Sequence, residues 1–299
     1  MAECNKETMI SAVGLSIAAL VFGTTYAIVK DLVSAVHPFL LMTLRFGLAA
    51  VVLSVLFASK LKKITRKDIY RGSVIGLFLF LGFLTLVTGI VHTTASKQSF
   101  LIGSYVLMVP LLVWLLYKKR PDIYSVFGAG LAAAGIGLLT LDGELSINPG
   151  DSISILCAFF FACHIVAIEY YRDDIDSILS TIIQFIVSFL AFAALTGIFA
   201  SFEMEISMYQ IQLIGYLVLA TTVITFLIQN MAQKHLSSTT TALILTLETA
   251  FGGVFAVFFL GEVMTGKMIW GCVLVLIGII AAETKGKLIA SLMSREDAV

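Results

Sequence analysis

The sequence predicts an all-α integral membrane protein with ten transmembrane helices, arranged as two inverted five-helix repeats. Three observations carry that prediction. Of 299 residues, 59% are hydrophobic and 13% charged, whereas soluble domains carry about 25% charged residues. Ten apolar runs follow one another, each close to the roughly 20 residues that a helix needs to cross a bilayer. The second half repeats the first at an offset near 139 residues.

The runs cover 9–29, 38–58, 72–91, 99–117, 123–141, 153–171, 178–200, 209–231, 240–260 and 267–282. Helices are the expected form, because a lone span must satisfy its own backbone hydrogen bonds and these runs are too long and uniformly apolar for barrel strands. The first run is too long for a typical signal-peptide core and lacks a clear cleavage site, so it reads as a retained span. Only 59–71 is a substantial loop, which leaves no room for a soluble domain between spans. Cys157, Cys163 and Cys272 lie inside apolar runs and Cys4 in the polar N-terminus. Their spacing suggests neither a disulfide framework nor a zinc site, and they read as small buried hydrophobes.

Lys and Arg set the expected orientation. With the N-terminus inside, fifteen of the nineteen fall on the cytoplasmic side, led by Lys60, Lys62, Lys63, Arg66, Lys67 and Arg71. Outside are Lys30, Lys97 and Lys267, and Arg45 lies within a span. Both termini are therefore expected in the cytoplasm, with the chain a multi-pass protein of the cell (inner) membrane. A formal net charge of zero gives no basic field for nucleic acid.

The 139-residue shift places Phe22 over Phe161, Lys30 over Glu169, Arg45-Phe46 over Gln184-Phe185, Tyr70 over Tyr209 and Val109 over Glu248. Four more residues of shift align Phe127-Gly128 with Trp270-Gly271. The expected division is 1–146 for the first repeat and 147–299 for the second, with a short cytoplasmic tail. Five helices per repeat is an odd number, so the halves enter the membrane in opposite directions, an architecture common among secondary transporters. The small residues Gly128, Ala129, Gly130, Ala132, Ala133, Ala134, Gly135 and Gly137 suit a close helix seam inside the molecule. Pro110 is expected to kink the fourth span.

Several short motifs have a familiar arrangement: Phe22-Gly23-Thr24-Thr25 leading to Lys30, Arg45-Phe46, Leu247-Glu248-Thr249, Leu260-Gly261-Glu262, and the link Gln229-Asn230-Met231-Ala232-Gln233-Lys234. On these residues the chain resembles, end to end, the ten-helix EamA-type branch of the drug/metabolite transporter superfamily. It departs from that pattern at Phe22, where the family often has Trp, and at Thr249, where it has Pro. The resemblance implies a secondary transporter, with export as the favoured direction.

Glu248 stands near the middle of a span, where an ionisable group is costly and usually faces a polar cavity or a partner charge. Three readings follow: a ligand for a cationic substrate or coupling proton, a structural partner in a charge network with Arg45 and Lys30, or a carboxyl kept neutral by burial. Arg45 reads chiefly as a structural partner. Glu169 reads as a surface partner of Arg172 at i+3, and His164 as a hydrogen-bonded packing residue ahead of a proton relay. Candidate substrate-binding residues are Phe22, Thr25, Tyr26, Phe80, Phe83, Gln98, Tyr105, Phe161, His164, Gln229, Asn230 and Glu248, which combine apolar walls with a few polar groups.

The leading functional expectation is alternating-access transport of a small metabolite, such as an amino acid or related amphipathic solute. A carboxylate among aromatic faces makes transport of organic cations or drugs the first alternative. A membrane-embedded enzyme would need converging His, Asp or Glu residues, and these are scattered, so no catalytic residues, metal or cofactor are expected. A non-transporting scaffold leaves the internal repeat and the buried charges without a purpose. No Walker-type loop is present, so coupling falls to a proton, another ion or none. The expected partners are the solute and the lipid bilayer, for a monomer or homodimer.

Overall fold

The computed structural model describes residues 6–118, 148–200 and 206–284, with isolated helical positions between 124 and 138. Its elements are α1 (Lys6–Leu32), α2 (Pro38–Leu56), α3 (Ala58–Leu61), α4 (Arg66–Ile90), α5 (Ala95–Gly103), α6 (Tyr105–Tyr117), α7 (Pro149–Tyr171), α8 (Ser177–Phe199), α9 (Met208–Val218), a π-helical turn (Leu219–Ile224), α10 (Thr225–Ala232), α11 (Ser238–Leu245), α12 (Leu247–Leu260) and α13 (Gly266–Thr284). Eight segments are long and apolar enough to cross a membrane, counting α5 with α6, α9 through α10, and α11 with α12 as one each. The last helix, α13, carries the shorter apolar stretch Ile269–Gly278. The expected span at 123–141 lies largely outside the described residues, as do Ala129, Ala132, Ala133 and Gly137 of the small-residue seam.

Helix starts follow local caps, each worth about 1 kcal/mol. Thr65 and Asp68 form a reciprocal capping box before α4, and Ser207 and Gln210 form its counterpart before α9. Thr94 caps α5 and Ser237 caps α11, while Asp176 accepts the first amides of α8.

These caps measure the repeat. His37 and Asp176, which precede the second and seventh spans, are 139 residues apart. Thr65 and Ser207 are 142 apart, and Thr94 and Ser237 are 143 apart. The last step is explained by the π-helical turn, which takes one extra residue into an otherwise α-helical span. A constant shift of 139 therefore fails beyond the second span. The counterpart of Glu248 is Tyr105, not Val109.

The fourth and ninth spans are both broken, at Ser104 and Thr246. In each the hydroxyl donates to a carbonyl three residues back, Ser104 Oγ to Leu101 O at 2.6 Å and Thr246 Oγ1 to Leu243 O. Side-chain donors of this kind compete with the backbone ladder. Pro110, where a kink is expected, lies inside α6, and the break in the span comes six residues earlier, at Ser104.

Among the described residues the larger contacts between the halves have counterparts. Helix α2 packs on α8, its own counterpart, and α5 packs on α12 while α11 packs on α6. Helix α4 packs on α7 while α1 packs on α10, and α1 meets α12 while α7 meets α6. At the centre Phe46 and its counterpart Phe185 meet at 5.9 Å between ring centroids, with Phe46 also edge-on to Phe83 at 5.0 Å.

Candidate functional site

A cavity of about 50 Å³ lies among α1, α4, α6, α7, α10, α11 and α12. Its lining is paired across the halves. Phe22 and Phe161, Thr25 and His164, and Tyr26 and Ile165 are each 139 residues apart, and Phe83 and Phe226, Leu86 and Gln229, and Tyr105 and Glu248 are each 143 apart. Leu245 completes the wall. At roughly 15 Å³ per water, this volume holds about three waters; a metabolite needs a wider cavity.

Glu248 is 9% exposed and accepts a hydrogen bond from the Tyr26 hydroxyl at 3.2 Å. Tyr105 lies beside the same carboxyl, but its hydroxyl makes no hydrogen bond of good geometry among the described residues. Thr25 Oγ1 is likewise buried and unpartnered among them. His164 Nε2 and Gln184 Oε1 are 2.8 Å apart, and Gln184 Nε2 donates to Asn230 Oδ1 at 3.0 Å. The site thus presents one carboxyl group, four phenylalanine faces and several neutral polar groups among the described residues.

The expected charge network does not assemble. Arg45 is fully buried, but its Nε donates to Thr222 Oγ1 at 2.6 Å and its Nη2 to Thr221 Oγ1 at 3.0 Å. Both hydroxyls project from the π-helical turn and donate in turn to Leu217 O. The guanidinium also stacks 4.6 Å above the Phe83 ring. The extra residue of that turn brings two threonines together, and they take the place of a carboxylate partner. Lys30 donates to the carbonyls of Ile90 and Thr93, both at 2.7 Å, where it caps the C-terminal end of α4.

Nine of the twelve expected site residues line the cavity: Phe22, Thr25, Tyr26, Phe83, Tyr105, Phe161, His164, Gln229 and Glu248. Phe80 instead packs edge-on to Phe192 at 4.9 Å, Gln98 donates to Leu86 O at 2.9 Å, and Asn230 stands behind Gln184. Leu86, Ile165, Phe226 and Leu245 were not anticipated. Three of these are counterparts of anticipated residues, so the repeat in its capped register points to them. Glu169 does meet Arg172, at 3.9 Å, but it also accepts the Ser238 amide at 2.8 Å. Among the described residues no three His, Cys, Asp or Glu side chains converge on a metal position.

Contacts between the halves tie both ends of the bundle. At one end Lys97 and Asp151 pair at 2.6 Å, Thr93 donates to Asp151 at 2.8 Å, and Glu262 accepts from the Ala95 and Ser96 amides. At the other, Lys60 pairs with Asp176 at 2.6 Å and Arg71 with Asp174 at 3.2 Å. Partial burial opposes ionisation of Asp176, but Lys60 and the Leu179 and Ile178 amides outweigh it and hold the carboxyl below its usual range.

Comparison with known proteins agrees with this architecture. The model of the EamA-like transporter family matches residues 9–141 and again 148–283. An uncharacterized transporter of Archaeoglobus fulgidus is 32% identical over 274 residues, covering 91% of this chain and 85% of that protein. The uncharacterized transporter YyaM of Bacillus subtilis is 24% identical over 274 residues, covering 87% and 89%. A crystal structure with 18% identity shares the fold at a TM-score of 0.68, covering 93% of this chain and 98% of that one. With both halves matched, the chain belongs to the EamA-like transporter family and is a multi-pass membrane transporter.

Proposed function

We propose that the protein is a secondary transporter that exports a small amphipathic solute bearing a protonated amine, an amino acid or a derivative, across the cytoplasmic membrane. The observation that carries this reading is the one-sided charge of the cavity: Glu248 faces it, while Arg45 is held behind Phe83 by two threonines. A carboxylate ringed by π faces attracts a cation. Neutral donors in the same wall, Gln229 and the Tyr105 hydroxyl, suit the polar remainder of the solute. An organic cation without a carboxylate is the second reading, favoured by the four phenylalanines.

The halves act as inverted repeats that rock about this cavity. In support, the cavity wall is paired residue by residue across the halves, and the closing contacts at both ends run between them. A cavity of about 50 Å³ is too small for a metabolite, so the solute enters when one set of end contacts opens. Both termini lie in the cytoplasm, consistent with the Lys and Arg bias. By the same count of the sequence, the opposite side holds more acidic residues than its three lysines, a bias that favours cations there.

A thermal-shift screen of the purified protein against amino acids, amines, organic cations, nucleosides and sugars, followed by liposome flux of the hits, tests this. Ligand at 100 times its dissociation constant raises stability by about 2.7 kcal/mol. Amine-bearing compounds are expected to stabilise the native protein and not Glu248→Gln. Stabilisation only by uncharged sugars or by anions overturns the reading.

A further inference from the structure

We propose that the protein carries a binding site for one anionic phospholipid, made by a basic pocket that opens into an apolar groove on the membrane-facing surface. The basic pocket, about 450 Å³, lies at the start of α4, where Arg66, Lys67 and Arg71 meet Tyr170 and Tyr171 at the end of α7. The same two tyrosines form the end of a groove of about 280 Å³ between α4, α6 and α7, walled by Val74, Phe78, Leu115 and Leu116. Charge and oil are therefore continuous, at the depths where a lipid has its phosphate and its acyl chain.

The groove faces the bilayer: Leu115 is 75% exposed and Leu116 53%, in a helix that crosses the membrane. Tyr170 is 55% exposed, at the interfacial level where tyrosine is favoured. Asp174 binds Arg71 through both its carboxylate, at 3.2 Å, and its backbone carbonyl, at 2.8 Å, which fixes that guanidinium beside the pocket. Arg66 and Lys67 are exposed, with no ion pair among the described residues. Basic pockets at this level attract anionic headgroups with about 1 kcal/mol per cation.

The other half contains the corresponding groove, about 560 Å³, between α1, α9 and α12. There Asp31 occupies the place of Tyr170, and Tyr209 that of Lys67. One groove ends in cations and the other in a carboxylate, so an anionic lipid selects the α4 groove alone. This inference is independent of the solute carried by the central cavity.

The test is the melting temperature of the detergent-solubilised full chain titrated with dioleoylphosphatidylglycerol, dioleoylphosphatidylcholine, soluble glycerophosphoglycerol or inorganic phosphate. Phosphatidylglycerol is expected to give a saturable rise that the other three do not. The exposed double variant Arg66→Gln/Lys67→Gln is expected to bind it about 30-fold more weakly, the effect of two headgroup cations. Leu116→Trp, which fills the groove and leaves the cations in place, should weaken it too, while Asp31→Asn should not. An equal rise with phosphatidylcholine, a full effect of phosphate alone, or an unchanged response in both α4-groove variants overturns the proposal.

Discussion

The Tyr26 hydroxyl donates to Glu248 Oε1 at 3.2 Å, and this bond joins the first and ninth spans across the cavity. It links Glu248, the one acidic side chain in the cavity wall among the described residues, directly to the opposite half. A hydrogen bond to a charged acceptor contributes about 1.5–3 kcal/mol. Tyr26→Phe is therefore expected to lower liposome flux of an amine-bearing solute at subsaturating concentration by about tenfold or more, at that energy. Glu248→Gln is expected to abolish flux while the protein still elutes as a folded species. Unchanged flux in both variants places the solute elsewhere.

Arg45 and Glu248 form no ion pair among the described residues. Arg45 donates from Nε to Thr222 and from Nη2 to Thr221, with Nη1 unpartnered among the described residues, and a double-mutant cycle with Arg45→Gln and Glu248→Gln should be additive within about 0.5 kcal/mol. Thr222→Val behaves differently, since it removes the acceptor of Nε on a buried guanidinium, and its cost is about 1.5–3 kcal/mol. Denaturation in mild detergent checks both, and a coupling above about 1 kcal/mol restores the direct pair.

Close helix crossing gives the third prediction. A Cβ on Gly23 stands 2.6 Å from Phe251 Cβ and 3.0 Å from the Glu248 carbonyl oxygen. Backbone atoms have little freedom to retreat, so Gly23→Ala is expected to cost about 1–3 kcal/mol. At Gly215 the added methyl meets nothing within 4 Å. Gly215→Ala should leave the melting temperature unchanged or slightly raised, which makes it the matched control.

Much of this organisation was readable from the chain. The length and apolarity of the runs predicted the spans, and Phe22 over Phe161 predicted one cavity pair. The register was not readable, because identities among apolar helices are frequent and a π-helical turn leaves no mark in hydropathy. That turn moved the counterpart of Glu248 from Val109 to Tyr105. It also hid the partners of Arg45, since two adjacent threonines in a span read as ordinary helix-facing hydroxyls. Gln98 and Asn230 were misplaced for a simpler reason: an amide in a span signals a polar neighbour without saying whether that neighbour is backbone or solute.

Acid sensitivity follows from Asp176. Its folded-state pKa is depressed by Lys60 and by the amides at the start of α8, so its contribution to stability is complete above the unfolded value near pH 4 and is lost as pH falls through the lower folded value. Melting temperature between pH 6 and pH 3 should drop less steeply in Asp176→Asn than in the native protein. Lys60→Met should remove part of the same dependence. Parallel curves for all three proteins count against this source of acid lability.

The pair Lys97 and Asp151 ties the halves at one end, with Asp151 fully buried and Lys97 nearly so. Removing one partner of a buried pair costs about 3–5 kcal/mol, because the survivor stays desolvated and unpaired. In a rigid bundle that loss appears only as lower stability. In a transporter it has a second outlet, since opening this end returns the stranded ammonium to water and leaves the opposite contacts, Lys60 with Asp176 and Arg71 with Asp174, in place. Asp151→Asn is therefore expected to raise the rate at which a membrane-impermeant maleimide labels Thr25→Cys, in a background with the native cysteines replaced. The same label applied from the other side should react no faster. A lower melting temperature with unchanged labelling from both sides assigns the pair to the fixed frame of the bundle, and labelling accelerated from both sides assigns it to folding rather than to opening at one end.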